Sequence, residues 1–159
     1  YLNKESKYKC LYINVESAQG ARENVKRGIK SILSELSSRY SSIFKDKTLK
    51  EKFNEILEQS GEDHALNELL TFWTEESNKP VILFIDEIDS LIGDTLISVL
   101  RQLRAGYDKR PQSFPHSIIL CGVRDIQDYR IHASKEKEIE KRNLNYQVIR
   151  FARIPEVVF

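Results

Sequence analysis

Residues 81–89, VILFIDEID, decide the fold of this 159-residue chain. Five apolar residues in succession are typical of a strand that is covered on both faces, as in a parallel sheet. Two further apolar runs, CLYINV at 10–15 and SIILCGV at 117–123, indicate buried strands. The helical patterns between the three runs are long enough for parallel crossovers. The sequence therefore predicts an α/β fold in which helices flank a parallel sheet.

Apolar residues that recur at steps of three and four predict the connecting helices. One stripe runs through residues 25–43, a second through 49–57 and a third through 66–73. After the central strand, a fourth helix is predicted with Asp94 as its N-cap and Gly106 as its C-terminal stop.

The composition excludes several classes of protein. Lys and Arg number 25 against 24 Asp and Glu, a formal net charge of +1, which gives no broad attraction to nucleic acid or to an anionic membrane. No apolar run reaches the roughly 18 residues of a membrane span, and the N-terminus lacks the apolar core of a secretory signal. Cys10 and Cys121 lie in apolar runs and are expected to be reduced, and the three His residues lack metal-ligand spacing. These features predict a cytoplasmic globular protein.

The acids at the end of the central run are the first candidates for chemistry. Ligands of open parallel sheets bind at the carboxyl ends of the strands, where Asp86 and Glu87 are placed. A carboxylate there can hold hydrated Mg²⁺, and its neighbour can orient a water molecule for attack on a phosphoryl group. The alternative is that the strand simply ends and polar residues begin.

A cation follows the next predicted strand. Arg124 comes directly after SIILCGV, whose tip is expected to lie near the two acids. A guanidinium at that distance can contact a phosphate with two hydrogen bonds. The alternative is an ion pair of Arg124 with Asp125 or Asp128 at the surface.

VILFIDEID resembles the Walker B segment of AAA-like P-loop ATPases. Residues 10–24, 79–111 and 114–132 are similar to a family of bacterial AAA-like ATP-binding proteins, and the resemblance covers about residues 1–138. It implies a partial ATPase domain over 1–138, built as a three-layer P-loop NTPase-like fold with helices on both faces of the sheet. It also implies ATP and Mg²⁺ as ligands.

The same resemblance implies roles for individual residues. Asp86 would coordinate Mg²⁺ through water, and Glu87 would be the catalytic acid. Arg124 would occupy the sensor position. Glu16, at the tip of the first strand, is a further candidate for contact with the nucleotide.

Two departures from the family pattern qualify these expectations. None of the six glycines belongs to a G-x-x-x-x-G-K-[ST] sequence, the P-loop that cradles phosphates, and Met is absent. In the family the P-loop and its strand precede the point at which this chain begins, so a truncated fragment is expected. Residues 139–159 do not match the family. We expect either a divergent C-terminal segment of the same domain, as a last strand or disordered, or the product of a frameshifted or degraded gene.

The missing segment has physical consequences. Without a phosphate cradle, the chain alone is expected to have weak or no ATPase activity. A sheet without its first strand is expected to have a gap or two unpaired edges, which favour a protein partner or a second copy.

Other interpretations stay open at this stage. The chain is alternatively a non-catalytic interaction or regulatory module that uses the apolar stripe of the helix at 21–44 as its contact surface. That stripe is, however, better explained as the helix face that covers the sheet. The sequence of residues 86–89, DEID, also matches the DExD motif of helicases and would suit a divalent-metal site for glycosyl or nucleotidyl transfer. The companion motifs of helicases are absent from the sequence. Arg101 and Arg104 are either arginine fingers for a neighbouring subunit or, more simply, a solvated helix face.

Overall fold

Three strands form a parallel sheet in a computed structural model that describes residues 3–4 and 7–122 of the chain. The strands are β1 (Lys9–Asn14), β2 (Val81–Asp86) and β3 (Ser117–Leu120), in the order β1-β2-β3. The helices are α1 (Val25–Phe44), α2 (Thr48–Ser60) and α3 (Ala65–Glu75) between β1 and β2, and α4 (Gly93–Ala105) between β2 and β3. Short 3₁₀ helices lie at Glu16–Ala21, Ile88–Ser90 and Tyr107–Lys109. The predicted α/β fold with a parallel sheet flanked by helices is confirmed.

The three strands are contiguous, so the expected gap does not occur between them. β2 pairs along its length with β1 on one side and β3 on the other. Within residues 7–122, no further strand pairs with either outer edge. On the outer edge of β1, the amide side chain of Asn3 accepts from Cys10 N at 2.7 Å and donates to Cys10 O at 2.8 Å. Asn3 thereby occupies backbone groups that an added strand would need.

The two faces of the sheet differ in burial. Side chains alternate between faces along a strand, and one face shares a single apolar core with the helices through Leu11, Ile13, Val81, Leu83, Ile85 and Leu120. On the other face Ile82 and Phe84 are only half-buried, and Tyr12 is 45% exposed. The described helices therefore share their core with one face. A helical layer on the second face, as in the three-layer fold expected from the resemblance, stays a prediction.

The apolar stripe of α1 covers the sheet. Its residues at steps of three and four are buried in the common core, namely Ile29, Ile32, Leu33, Leu36 and Tyr40. Only near the end of α1 does a large apolar side chain, Ile43, become exposed. The interpretation of this stripe as a sheet-covering face, rather than as a contact surface for another protein, is confirmed.

The start of α4 differs from the prediction. Asp94 lies in the first turn and is not the N-cap, which is Ile92. The N–H of Thr95 donates to the carbonyl oxygen of Arg22 at 3.2 Å. A backbone carbonyl from the loop after the first 3₁₀ helix thus satisfies an N–H that a capping side chain would otherwise take.

The end of α4 is at Gly106, as predicted, but for a different reason. Gly106 has a right-handed backbone (φ −83°), so it does not end the helix by a left-handed conformation. A Cβ at this position would lie 2.2 Å from the ring of the fully buried Phe114. Close packing against an aromatic ring is what requires glycine here.

A buried glutamine caps α3 from a neighbouring helix. The His64 N-cap makes no capping hydrogen bond with its side chain. Instead, Gln102 Oε1 of α4 accepts from Leu66 N at 2.8 Å and Asn67 N at 3.2 Å, and Gln102 Nε2 donates to Glu62 O at 2.8 Å. Gln102 is only 3% exposed, so water cannot readily replace the hydrogen bonds that its side chain makes with these backbone groups.

We expect Gln102→Leu to lower the free energy of unfolding by about 2–4 kcal/mol. The change keeps the side chain near its size but leaves the N–H groups at the start of α3 without their acceptor, at about 1–3 kcal/mol for each buried group. Urea denaturation followed by circular dichroism measures this loss. The matched control is Gln59→Leu on the exposed face of α2, which should change stability by less than about 0.5 kcal/mol. Equal effects of the two changes would contradict the capping role.

A second polar network joins β1 to the α1–α2 connection. Asp46 Oδ1 accepts from Thr48 N at 2.8 Å, and Asp46 Oδ2 accepts from the Tyr40 hydroxyl at 2.8 Å. Lys9 Nζ in turn donates to the Tyr40 oxygen at 2.9 Å. Hydrogen bonds from Thr48, followed by that from Tyr40, lower the pKa of Asp46 to about 2.

This network predicts a specific loss of stability in acid. Because the pKa of Asp46 is lower in the folded chain than its unfolded value of about 4, the stabilisation is present above pH 4 and is lost as the pH falls towards about 2. Asp46→Asn, which cannot titrate, should lose less stability between pH 5 and pH 2 than the unaltered chain. Denaturant midpoints measured across this range test the difference. Asp63→Asn, at an exposed carboxylate, is the control and should follow the unaltered chain.

Candidate functional site

The tip of β2 presents two acids through an unusual turn. Asp86 is the last residue of β2, and Glu87 follows with a left-handed backbone (φ 56°, ψ 36°). This conformation is uncommon for residues other than glycine and is found at turns and functional sites. The N–H of Glu87 donates to Asp86 Oδ1 at 3.0 Å, and the chain then enters the 3₁₀ helix Ile88–Ser90. The turn thus ends the strand and holds one oxygen of the Asp86 carboxylate.

Parallel pairing brings a third predicted acid to the same place. Asn14 of β1 is in register with Asp86, so the chain leaving β1 reaches Glu16 at the level of the β2 tip. A cavity of about 350 Å³ separates the two exits, and it is lined by Glu16, Gln19, Glu87, Asp89, Ser90 and Ile92. No Lys or Arg is among these lining residues. Asp86 is not one of the lining residues but directly precedes Glu87, and we name Glu16, Asp86, Glu87 and Asp89 together the acidic rim.

Glu87 is affected by the other charges of the acidic rim. Burial, and then the negative charges of Asp89, Asp86 and Glu16, raise the pKa of Glu87 above its ordinary value. Like charges raise a carboxyl pKa because each ionised group disfavours ionisation of the next. A cation at the rim would relieve this repulsion, so the electrostatics favour a positively charged ligand.

Tyr12 contacts Asp86, and sequence reasoning did not identify it as a site residue. Its hydroxyl donates to Asp86 Oδ2 at 2.5 Å, across the pair β1 and β2. This hydrogen bond is the main reason that the pKa of Tyr12 rises to about 12. The two strand sequences held the signal: Tyr12 is paired with Phe84, two residues before Asp86 and therefore on the same face.

The carboxylates of the acidic rim suit a hydrated Mg²⁺ ion better than an ion whose ligands all come from the protein. Carboxylate oxygens are the ligands that Mg²⁺ prefers, and this ion usually keeps several of its waters. Among the described residues, no three acidic, His or Cys side chains are grouped so that they could hold a metal directly. Each Asp86 oxygen accepts one protein hydrogen bond and keeps capacity for a second, such as a metal-bound water.

Gly122 allows β3 to approach the acidic rim. A Cβ at this position would lie 2.7 Å from Asp89 Oδ1 and 3.3 Å from Ile88 Cγ2. Two backbone hydrogen bonds fix this approach, from Cys121 N to Ile85 O at 2.8 Å and from Ile88 N to Cys121 O at 3.0 Å. Sequence reasoning missed this position because the clash is with a residue more than thirty positions away.

Of the other candidates from the sequence, some lie outside the described residues, and those that are described do not line this cavity. Arg124, the predicted sensor residue, and the segment 139–159 lie outside the described residues. Arg101 and Arg104 are exposed on α4. Cys10 and Cys121 are buried and their thiols are free. Of the helices in the described ranges, none is long and apolar enough to cross a membrane.

A second cavity, of about 370 Å³, lies between the first 3₁₀ helix and α1. It is lined by Ser17, Arg27, Lys30, Ser31, Ser34 and Glu35. Most of these side chains are exposed, and none lies at a strand tip. It is slightly larger than the cavity of the acidic rim, but its lining offers no comparable gathering of functional groups.

Comparison of the chain with protein families, with curated proteins and with solved structures finds no match.

We expect Gly122→Ala to disturb the rim and to destabilise the chain by about 1–3 kcal/mol, the usual cost of forcing an extra methyl group into a packed site. The amide resonances of residues 88–90 should shift in ¹H–¹⁵N NMR spectra. Gly20→Ala is the matched control, because a Cβ there would meet only the end of Arg27 at 3.9 Å. Similar spectra and stabilities for the two variants would contradict the close approach at Gly122.

Proposed function

We propose that this chain is part of an ATP-binding, ATP-hydrolysing AAA-like protein, in which the acidic rim faces a magnesium-nucleotide. One observation carries the proposal: Asp86 ends the middle strand of the described sheet, and Glu87, which directly follows it, gathers with Glu16 and Asp89 around one cavity whose lining has no cation. The carboxyl end of such a sheet is where α/β proteins bind ligands.

Each acid has a distinct role in this proposal. Asp86 holds Mg²⁺ through a bound water, since both of its oxygens are already oriented by hydrogen bonds. Glu87 accepts a proton from the water that attacks the phosphoryl group; its raised pKa brings it closer to the range of an effective general base. Magnesium, when bound, would neutralise charge on the phosphate oxygens. Glu16 faces the nucleotide across the cavity, and Arg124 would contact a phosphate.

The proposal limits what these 159 residues do by themselves. The sequence contains no G-x-x-x-x-G-K-[ST] loop to surround the phosphates. Phosphoryl transfer depends mainly on positioning and on charge stabilisation, and that loop supplies a large part of both. We therefore expect cation binding with weak nucleotide binding, and weak or no hydrolysis by the chain alone.

The alternative is a non-catalytic interaction or regulatory module, with a protein partner or a second copy. The apolar stripe of α1, which such a module was expected to use as its contact surface, is buried in the core. The half-exposed second face of the sheet, with Tyr12 and Phe84, is the observation that still favours it. An interaction module has no need of a cation at the acidic rim, so cation binding separates the two functions.

We expect Asp86→Asn to weaken binding of Mn²⁺, used as a probe for Mg²⁺, by about tenfold or more. A lost hydrogen bond to a charged group is worth about 1.5–3 kcal/mol, and each 1.4 kcal/mol is about tenfold in affinity. The electron paramagnetic resonance signal of free Mn²⁺ measures the affinity, with and without ATP. Glu87→Gln should spare ATP binding and remove any hydrolysis that is detected.

Asp94→Asn is the matched control, because Asp94 is an exposed acid close in sequence that does not belong to the acidic rim. It should bind Mn²⁺ as the unaltered chain does. If the unaltered chain binds no Mn²⁺, or if Asp94→Asn weakens binding as much as Asp86→Asn, the proposed function is wrong.

A further inference from the structure

We propose that Tyr12 is the positioning residue for Asp86: its hydroxyl fixes the Asp86 carboxylate in the orientation that receives the hydrated cation. This inference rests on the proposed function, and it extends the site to a residue on a different strand.

Two donors from separate parts of the fold hold the two oxygens of Asp86. The Tyr12 hydroxyl on β1 donates to Oδ2 at 2.5 Å, and the Glu87 N–H on the following turn donates to Oδ1 at 3.0 Å. The terminal torsion of an aspartate has a broad preference and would otherwise leave the carboxylate plane poorly fixed. With one donor on each oxygen, the plane is set and each oxygen keeps capacity for a second bond.

The position of Tyr12 indicates that its hydroxyl matters more than its ring. Tyr12 lies on the sheet face outside the common core and is 45% exposed, whereas its neighbours Leu11 and Ile13 on the other face are at most 1% exposed. An aromatic ring with so much exposure contributes less to stability than a buried one. The part of the side chain with a defined partner is the hydroxyl, which reaches the carboxylate at the strand tip.

Positioning groups of this kind have measurable effects on metal binding. Partners that orient a metal ligand without touching the metal typically change affinity by about 10–100-fold when they are removed. The pairing of β1 with β2 supplies such a partner from outside the acidic rim. Tyr12 is paired with Phe84, two residues before Asp86, and therefore lies on the same face of the sheet as Asp86.

The experiment compares Tyr12→Phe with Tyr107→Phe, a matched control. Tyr107 is 53% exposed and lies beyond the C-terminal end of α4, a helix about 20 Å long that begins near the rim. In the metal-free chain, Tyr12→Phe should shift the Glu87 amide resonance, because the carboxylate that accepts from this amide is released. Tyr107→Phe should leave that resonance in place. An unmoved Glu87 amide in Tyr12→Phe overturns the inference.

Mn²⁺ affinity gives the second readout. Tyr12→Phe should weaken Mn²⁺ binding by about tenfold, the lower end of the range for an orienting partner, and should have no further effect when Asp86 is already Asn. A purely structural role would instead weaken binding by the same factor in both backgrounds.

The failures of the two proposals are distinguishable. If Asp86→Asn abolishes Mn²⁺ binding and Tyr12→Phe leaves it unchanged, the positioning role is wrong and the proposed function stands. If the unaltered chain binds no Mn²⁺, both are wrong.

Discussion

The parallel pairing of β2 with both neighbours is the constraint on which the site depends. Because β1 and β2 run in the same direction and in register from Lys9–Val81 to Asn14–Asp86, the two chain exits lie side by side at one edge of the sheet. Backbone hydrogen bonds from Val15 N to Asp86 O and from Ile88 N to Cys121 O extend this alignment beyond the strands. A change of register by one residue would turn the core side chains outwards and separate the acids.

The acidic rim combines features that oppose stability. Burial, and then the charges of the three other carboxylates, raise the pKa of Glu87, and that residue is held in a left-handed backbone conformation. Sites that break local rules in this way are commonly functional, because the rest of the fold has to compensate for them. Here the compensation comes from the continuous core under the opposite face of the sheet and from polar links such as that of Gln102 with α3.

The elements of this fold could be predicted from the sequence because their signals are local. Apolar runs mark the strands, and spacings of three and four mark the helices, so the carboxyl tip of β2 with Asp86 and Glu87 was correctly located. Features that depend on distant contacts could not be predicted. The capping of α4 uses a carbonyl from Arg22, and the need for glycine at 106 comes from Phe114. The contact between Tyr12 and Asp86 requires knowledge of which strands pair and in which register.

The geometry of the rim also defines what kind of ligand it suits. No three side chains of the described residues are grouped as direct metal ligands, so under the proposed function an ion would keep its waters and be held mainly by charge. Such binding is weaker and more sensitive to salt than direct coordination, because water and dissolved ions screen the charges. The ion would reduce the repulsion among the carboxylates, and an anionic ligand bound to the same ion would add a second attraction that holds the ion there. The proposed function accounts for such weak binding, because in nucleotide chemistry the cation arrives with a phosphate and is not a permanently bound metal.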